Sequence, residues 1–258
     1  MTKRLFFGFE LSCPWPEEYP SGRLLANKDR HLTLVFLGDI QAEKLLESLP
    51  HLPLPSFQIA PVGLFDKLLT LPPESPRVVS WHVQWLLKKS QILQYRTSLI
   101  DYLKSLGYRV DLRPFLSHLT VARAPFDAEK WQEAFAPLPC FVKALHLYET
   151  TGNLEYTPLF SLPLLAPFEE FDHTADIAFT IYGDSFQELY LHATLALSFK
   201  FPPLLSYLRE EQIQDQLGLI KALNQLISLS DIEEGCPFKA VSYHGQFQNH
   251  KWEMIVDV

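Results

Sequence analysis

The tripeptide His-Leu-Thr occurs twice, as His31-Leu32-Thr33 and His118-Leu119-Thr120, each time inside an apolar run. In a β-strand alternate side chains share a face, so the His and Thr of each copy point one way and the central Leu the other. One strand then offers a ring nitrogen beside a hydroxyl, and the second strand repeats the pair. Two imidazoles supply a general base and a general acid near neutral pH, and two hydroxyls can hold an anion between them. Such a set suits cleavage of a phosphate ester without a metal. Basic residues flank both copies, Arg30 before the first and Arg123 after the second. His51, His82, His146 and His250 lack a matching partner and read as structural or surface residues.

The elements that must position these residues can be read along the chain. Arg4 to Phe9 reads as a strand, ended by Pro14-Trp15-Pro16. The first His-Leu-Thr strand runs to Leu37, closed by Gly38-Asp39, and Gln41 to Ser48 is a short helix stopped by Pro50. Leu52 to Pro61, with its prolines, reads as an extended edge. Arg77 to Val83 is a strand, and Leu86 to Gly107 has the apolar spacing of an amphipathic helix with Gly107 as its stop. After the second His-Leu-Thr strand come a helix over Asp127 to Phe135 and a strand over Phe141 to Tyr148. This order suggests two similar lobes facing each other.

Pro163 to Pro167 reads as a linker to a second unit. That unit opens with a strand over Phe171 to Tyr182. Ser185 with Glu188 three residues on has the pattern of a capping box for a helix running to Phe201. Gln214 to Leu229 reads as a second helix, and Phe238 to Gly245 with Trp252 to Val258 as two strands of a hairpin. The fold class is therefore α+β throughout, with domains at 1–165 and 166–258.

Composition agrees with two modules. The chain has 258 residues, 47% apolar and 20% charged, enough to bury a sizeable core. Residues 1–165 hold 17 Lys and Arg against 16 Asp and Glu, whereas residues 166–258 hold 5 against 14. The first part can carry a local basic groove; the acidic second part is a poor phosphate binder and a better partner for a metal or a basic protein. Cys13, Cys140 and Cys236 are an odd, scattered set, which argues against a disulfide framework or a cysteine zinc site and fits a reducing cytoplasm. Glu10 interrupts the short apolar start, unlike a signal peptide, and no run approaches membrane-spanning length. A cytoplasmic protein is expected, with no membrane partner.

Further residues match a known pattern: the opening Arg4-Leu5-Phe6-Phe7-Gly8-Phe9, Arg113-x-Phe115 before the second tripeptide, Ala122-Arg123 after it, and Tyr156-Thr157-Pro158-Leu159. With these, residues 1–165 resemble the two-histidine (2H) phosphoesterase family, in particular its RNA 2′,3′-cyclic phosphodiesterase type, also known as 2′-5′ RNA ligase. The resemblance implies a two-lobed fold with antiparallel sheets and hydrolysis of RNA 2′,3′-cyclic phosphate ends to 2′-phosphates, with no cofactor. His118 would be the general base and His31 the general acid. Thr33 and Thr120 would bind the non-bridging phosphate oxygens, and Arg123 would offset charge in the transition state. One residue departs from the family, which has proline where this chain has Ser117. A non-catalytic adaptor that holds RNA ends, and 2′-5′ joining at the same site, are the alternative readings.

In the second module Phe171-Asp172-His173-Thr174-Ala175-Asp176-Ile177, Tyr182-Gly183, the helix from Ser185, Lys239-Ala240-Val241-Ser242-Tyr243-His244 and Val256-Asp257-Val258 also form a set. They resemble archease, the small activator of the tRNA-splicing RNA ligase. The resemblance implies a divalent metal, calcium, held by Asp176, Asp257 and Val258, and an RNA ligase as partner. The chain departs from archease in being much shorter between the first helix and Lys239.

Overall fold

The computed structural model describes residues 2–174, 176–209, 211–242, 247–248 and 251–258, with backbone alone at 247–248. Ala175 of the His173–Ile177 motif, Tyr243 to Gly245 of the expected strand, and His250 lie outside the described residues.

The first module is an antiparallel sheet of β1 (Thr2–Ser12), β2 (Arg23–Leu24), β3 (His31–Gln41), β4 (Val62–Leu71), β5 (Val78–Trp85), β6 (His118–Arg123), β7 (Leu138–Gly152) and β8 (Glu155–Pro163). Its order is β1-β3-β6-β5-β4-β7, and β1 also pairs with β7, so the strands close on themselves; β8 extends from β7 and β2 from β6. Two lobes result, β1/β3/β7/β8 and β4/β5/β6. β3 joins β6 with Leu32 opposite Leu119, the central residues of the two tripeptides.

Leu5 to Phe9 of β1 are all buried because both faces of the strand are covered. Leu5, Phe7 and Phe9 enter the main core, whereas Phe6 covers the His31 ring. Helix α2 (Lys89–Ser105) buries Ile92, Tyr95, Leu99, Ile100 and Leu103, the stripe expected of an amphipathic helix. Arg96 of α2 donates to the Leu34 carbonyl and caps the Phe115 ring, tying the helix to β3 and to the loop before β6. Two short helices, α1 (Glu43–Ser48) and α3 (Ala128–Ala134), complete the module, the second capped by Asp127.

The second module pairs β9 (Phe168–Phe171), β10 (Ile177–Tyr182), β11 (Ala240–Ser242), β12 (Phe247–Gln248) and β13 (Lys251–Asp257). Helices α4 (Phe186–Lys200) and α5 (Gln216–Glu234) contribute buried faces to the core they share with this sheet. Ser185 accepts from the Glu188 N–H, as the capping pattern requires, and Gly235 ends α5 at a φ of 67° that side chains rarely tolerate.

Several expectations are corrected. The stretch 171–182 is not one strand: Phe171 ends β9 and Ile177 begins β10. Helix α2 begins at Lys89 because Lys88 is left-handed, with φ 61°. Leu52 to Pro61 contributes an isolated bridge, Ile59 to Leu165, instead of an edge strand. The 163–167 segment is pinned, since the Ala60 N–H donates to the Leu165 carbonyl and the Leu165 N–H to that of Gln58. Phe141 meets Phe168 and Phe199 at 5.6 and 5.5 Å, forming an apolar contact between the modules beside Leu195.

Candidate active site

Across the antiparallel seam at Leu32 and Leu119, His31 comes opposite Thr120 and Thr33 opposite His118. All four are half-buried while their leucine neighbours are fully buried, so the four side chains share the open face. A regular strand would send Arg123 to the opposite face. Ser80 pairs with Thr120 but Val79 pairs with Ala122, leaving Val121 as an extra residue in β6. That bulge buries Val121 and Ala122 in succession and returns Arg123 to the His/Thr face.

Both imidazoles are held alike. Nδ1 of His31 donates to the Asp29 carbonyl and Nδ1 of His118 to the Leu116 carbonyl, each at 2.8 Å and each two residues back. A carbonyl can only accept, so Nδ1 carries the hydrogen and Nε2 is left to the open face. Thr120 is supported by fully buried Ser80, their hydroxyl oxygens 3.4 Å apart.

The environments of the two rings differ. His31 is walled by Phe6 at 4.6 Å, Tyr148 at 5.3 Å and Tyr156 edge-on at 4.4 Å. This burial lowers its pKa from 6.5 to about 4, against the pull of the Asp29 carbonyl and carboxylate and with help from Arg123 and His118. Asp29, itself buried, accepts from the Tyr156 N–H and so fixes the wall behind the ring. In the free protein at neutral pH, His31 is therefore neutral, and an anion placed beside it would raise its affinity for a proton.

Arg30 is not part of this face. It is buried, its guanidinium lies over Trp15 and Tyr19 at 4.6 and 4.8 Å, and it donates to the Leu25 carbonyl and the Tyr19 hydroxyl. His146, bonded to Glu10 and Ser161, is structural. His82 is different: it pairs with His118 across β5 and β6, so it projects from the same face, and its Nδ1 meets Asp66. That Ser80 and His82 share one face of β5 could have been read from the sequence; their register with Thr120 and His118, and Asp66 in an unforeseen strand, could not.

The second group of candidates lies in the other sheet. Ile177 pairs with Val256, which puts Asp176 across from Asp257 at the end of β10 and β13. Asp176 meets His173 at 3.5 Å, and Lys239 Nζ lies 2.6 Å from the Val258 oxygen. Among the described residues no group of three or more His, Cys, Asp or Glu is arranged to hold a metal ion. Asp176 and Asp257 would supply carboxylate oxygens to a divalent cation at this corner, and the Lys239 ammonium would compete with it for the Val258 oxygen.

No family model matches the chain. It is 30% identical over 149 residues to an RNA 2′,3′-cyclic phosphodiesterase of Geobacillus stearothermophilus, covering 54% of this chain and 46% of that protein. An RNA 2′,3′-cyclic phosphodiesterase of Thermotoga maritima is 25% identical over 139 residues, 49% of this chain and 70% of its own length. This chain is similar to RNA 2′,3′-cyclic phosphodiesterases. It spans less than half the length of the Geobacillus protein. Among solved structures, E. coli LigT complexed with 3′-AMP matches at 26% identity with a TM-score of 0.46, over 64% of this chain and 99% of LigT. Among the described residues no helix is long and apolar enough to cross a membrane.

Proposed function

We propose that the first module hydrolyses RNA 2′,3′-cyclic phosphate ends to 2′-phosphates by metal-independent acid–base catalysis. The observation that carries this is the matched pair of imidazoles, each locked through Nδ1 and each presenting Nε2 beside a threonine on one face. His118 Nε2 takes a proton from water as its oxygen attacks phosphorus. The bond from phosphorus to the 3′ oxygen breaks, and His31 Nε2–H delivers its proton to that oxygen. Thr33 and Thr120 donate to the non-bridging oxygens, and Arg123 offsets the charge that builds on them.

The free-state pKa of about 4 fits this assignment only if the substrate loads His31 with its proton. The phosphate supplies that: its charge opposes the desolvation of the imidazolium and neutralises Arg123 nearby. The names of the relatives in Geobacillus and Thermotoga support the substrate class. His31→Ala and His118→Ala should each abolish hydrolysis of a 2′,3′-cyclic nucleotide while keeping the wild-type circular dichroism. Full activity in either variant refutes the assignment. Tight binding of a cyclic-phosphate end by the wild type without turnover would favour the adaptor reading.

For the second module, the archease-like motifs and the acidic surface support an RNA ligase as its protein partner. Co-purification of purified ligase with residues 1–258, competed by salt, tests it; no association at low salt removes the reading.

A further inference from the structure

We propose that the sheet face beyond His118 holds a subsite for the nucleotide preceding the cyclic-phosphate end, built by His82, Asp66 and Lys89 and a small apolar cleft. The inference rests on the cyclic-phosphate reading above and names the substrate as an RNA chain rather than a free mononucleotide.

His82 stands directly across from His118, which puts their Cβ atoms within about 5.5 Å on one face. Asp66 reaches it through a second bulge: Phe65 pairs with Val83 and Lys67 with His82, leaving Asp66 as the extra residue of β4. Its carboxylate lies 2.5 Å from His82 Nδ1, and both side chains are 23% exposed, so the dyad is open to a ligand. The Asp66 carboxylate fixes the ring through Nδ1, so Nε2 is the nitrogen left to meet a ligand.

Beside the dyad lies a cleft of about 240 Å³, lined by His82, Trp85, Lys89, Leu93, Phe115 and Leu116 among others. Leu93 and Leu116 are 41% and 40% exposed, an apolar wall left open among the described residues. Its floor is fixed by Trp85 Nε1, which donates to Ser117 Oγ at 3.0 Å. Lys89 is exposed at the start of α2 and adds a cation at the rim. The cleft therefore combines an apolar surface for a base with the Lys89 ammonium and the His82 ring for a phosphodiester, and it is continuous with the reacting face through His82. An upstream nucleotide has this chemistry; a mononucleotide seated between His31 and His118 has no second phosphodiester to offer.

The test compares a nucleoside 2′,3′-cyclic phosphate with a dinucleotide ending in the same group. Lys89→Ala, a surface change that leaves the core alone, and His82→Gln should each lower kcat/KM for the dinucleotide about tenfold relative to that for the mononucleotide, as loss of one charge-assisted hydrogen bond implies. An unchanged dinucleotide-to-mononucleotide ratio in both variants overturns the subsite. If the wild type turned over neither substrate, the cyclic-phosphate reading would fail by itself. The subsite would then be judged by the same ratio in Kd, for a dinucleotide and a nucleoside bearing a terminal 2′-phosphate.

Discussion

Opening the aromatic wall around His31 should move its titration in a stated direction. Tyr156 is half-buried, with its ring edge-on to the imidazole at 4.4 Å, and the Asp29 bond is made by its backbone N–H, which survives truncation. Tyr156→Ala therefore admits water to one side of the ring while the strand keeps its anchor. The wild-type gap between 6.5 and about 4 corresponds to a net cost to the imidazolium of about 3.5 kcal/mol, led by burial, at about 1.4 kcal/mol per pH unit. Three rings share that wall, so removing one should return roughly 1 pH unit. The assay is the pH dependence of the His31 Hε1 resonance, assigned by its loss in His31→Ala. The wild type should titrate near 4 and the variant near 5. A wild-type midpoint near 6.5, or no movement in the variant, refutes the argument from burial. The sign for stability follows from the lowered folded-state pKa. His31's contribution is full above 6.5 and is lost as pH falls toward 4, because the unfolded chain binds the proton first.

The same linkage applies to His192, fully buried in α4, whose pKa burial lowers to about 4. His192→Leu should shrink the fall in unfolding free energy between pH 7 and pH 4.5 by about 2 kcal/mol, measured by urea denaturation at both values. Thr120→Val removes a donor to the phosphate but keeps the strand, so kcat/KM should drop by about tenfold to a hundredfold, with the urea midpoint little changed. Ser117→Ala leaves the Trp85 indole N–H without its acceptor and should cost about 1 kcal/mol in unfolding free energy.

The face carrying the two histidines was legible because strand parity is a local rule: His31, Thr33, His118 and Thr120 needed no tertiary information. Arg123 reaches the His/Thr face for a reason that parity hides, since the bulge at Val121 depends on how β5 and β6 pair. Arg30 looked equivalent to Arg123 in sequence, yet alternation sends it to the aromatic side. Strand β4 was missed because its bulge at Asp66 breaks the period, and with it went the carboxylate partner of His82. The start of α2 was misplaced because Leu86 and Leu87 continue the apolar pattern. Those leucines pack instead against the contact between the modules, and the left-handed Lys88 separates them from the helix. Asp176 and Asp257 come together because β10 and β13 pair antiparallel, a register the sequence does not carry. The ammonium of Lys239 beside Val258, contributed by the residue preceding β11, is a tertiary fact.

The most direct measurement is hydrolysis of a dinucleotide 2′,3′-cyclic phosphate in EDTA, with the product's phosphate position read by NMR. The site described here predicts turnover to the 2′-phosphate by the wild type and none by His31→Ala or His118→Ala. Turnover that requires an added metal, or that persists without either imidazole, would contradict it.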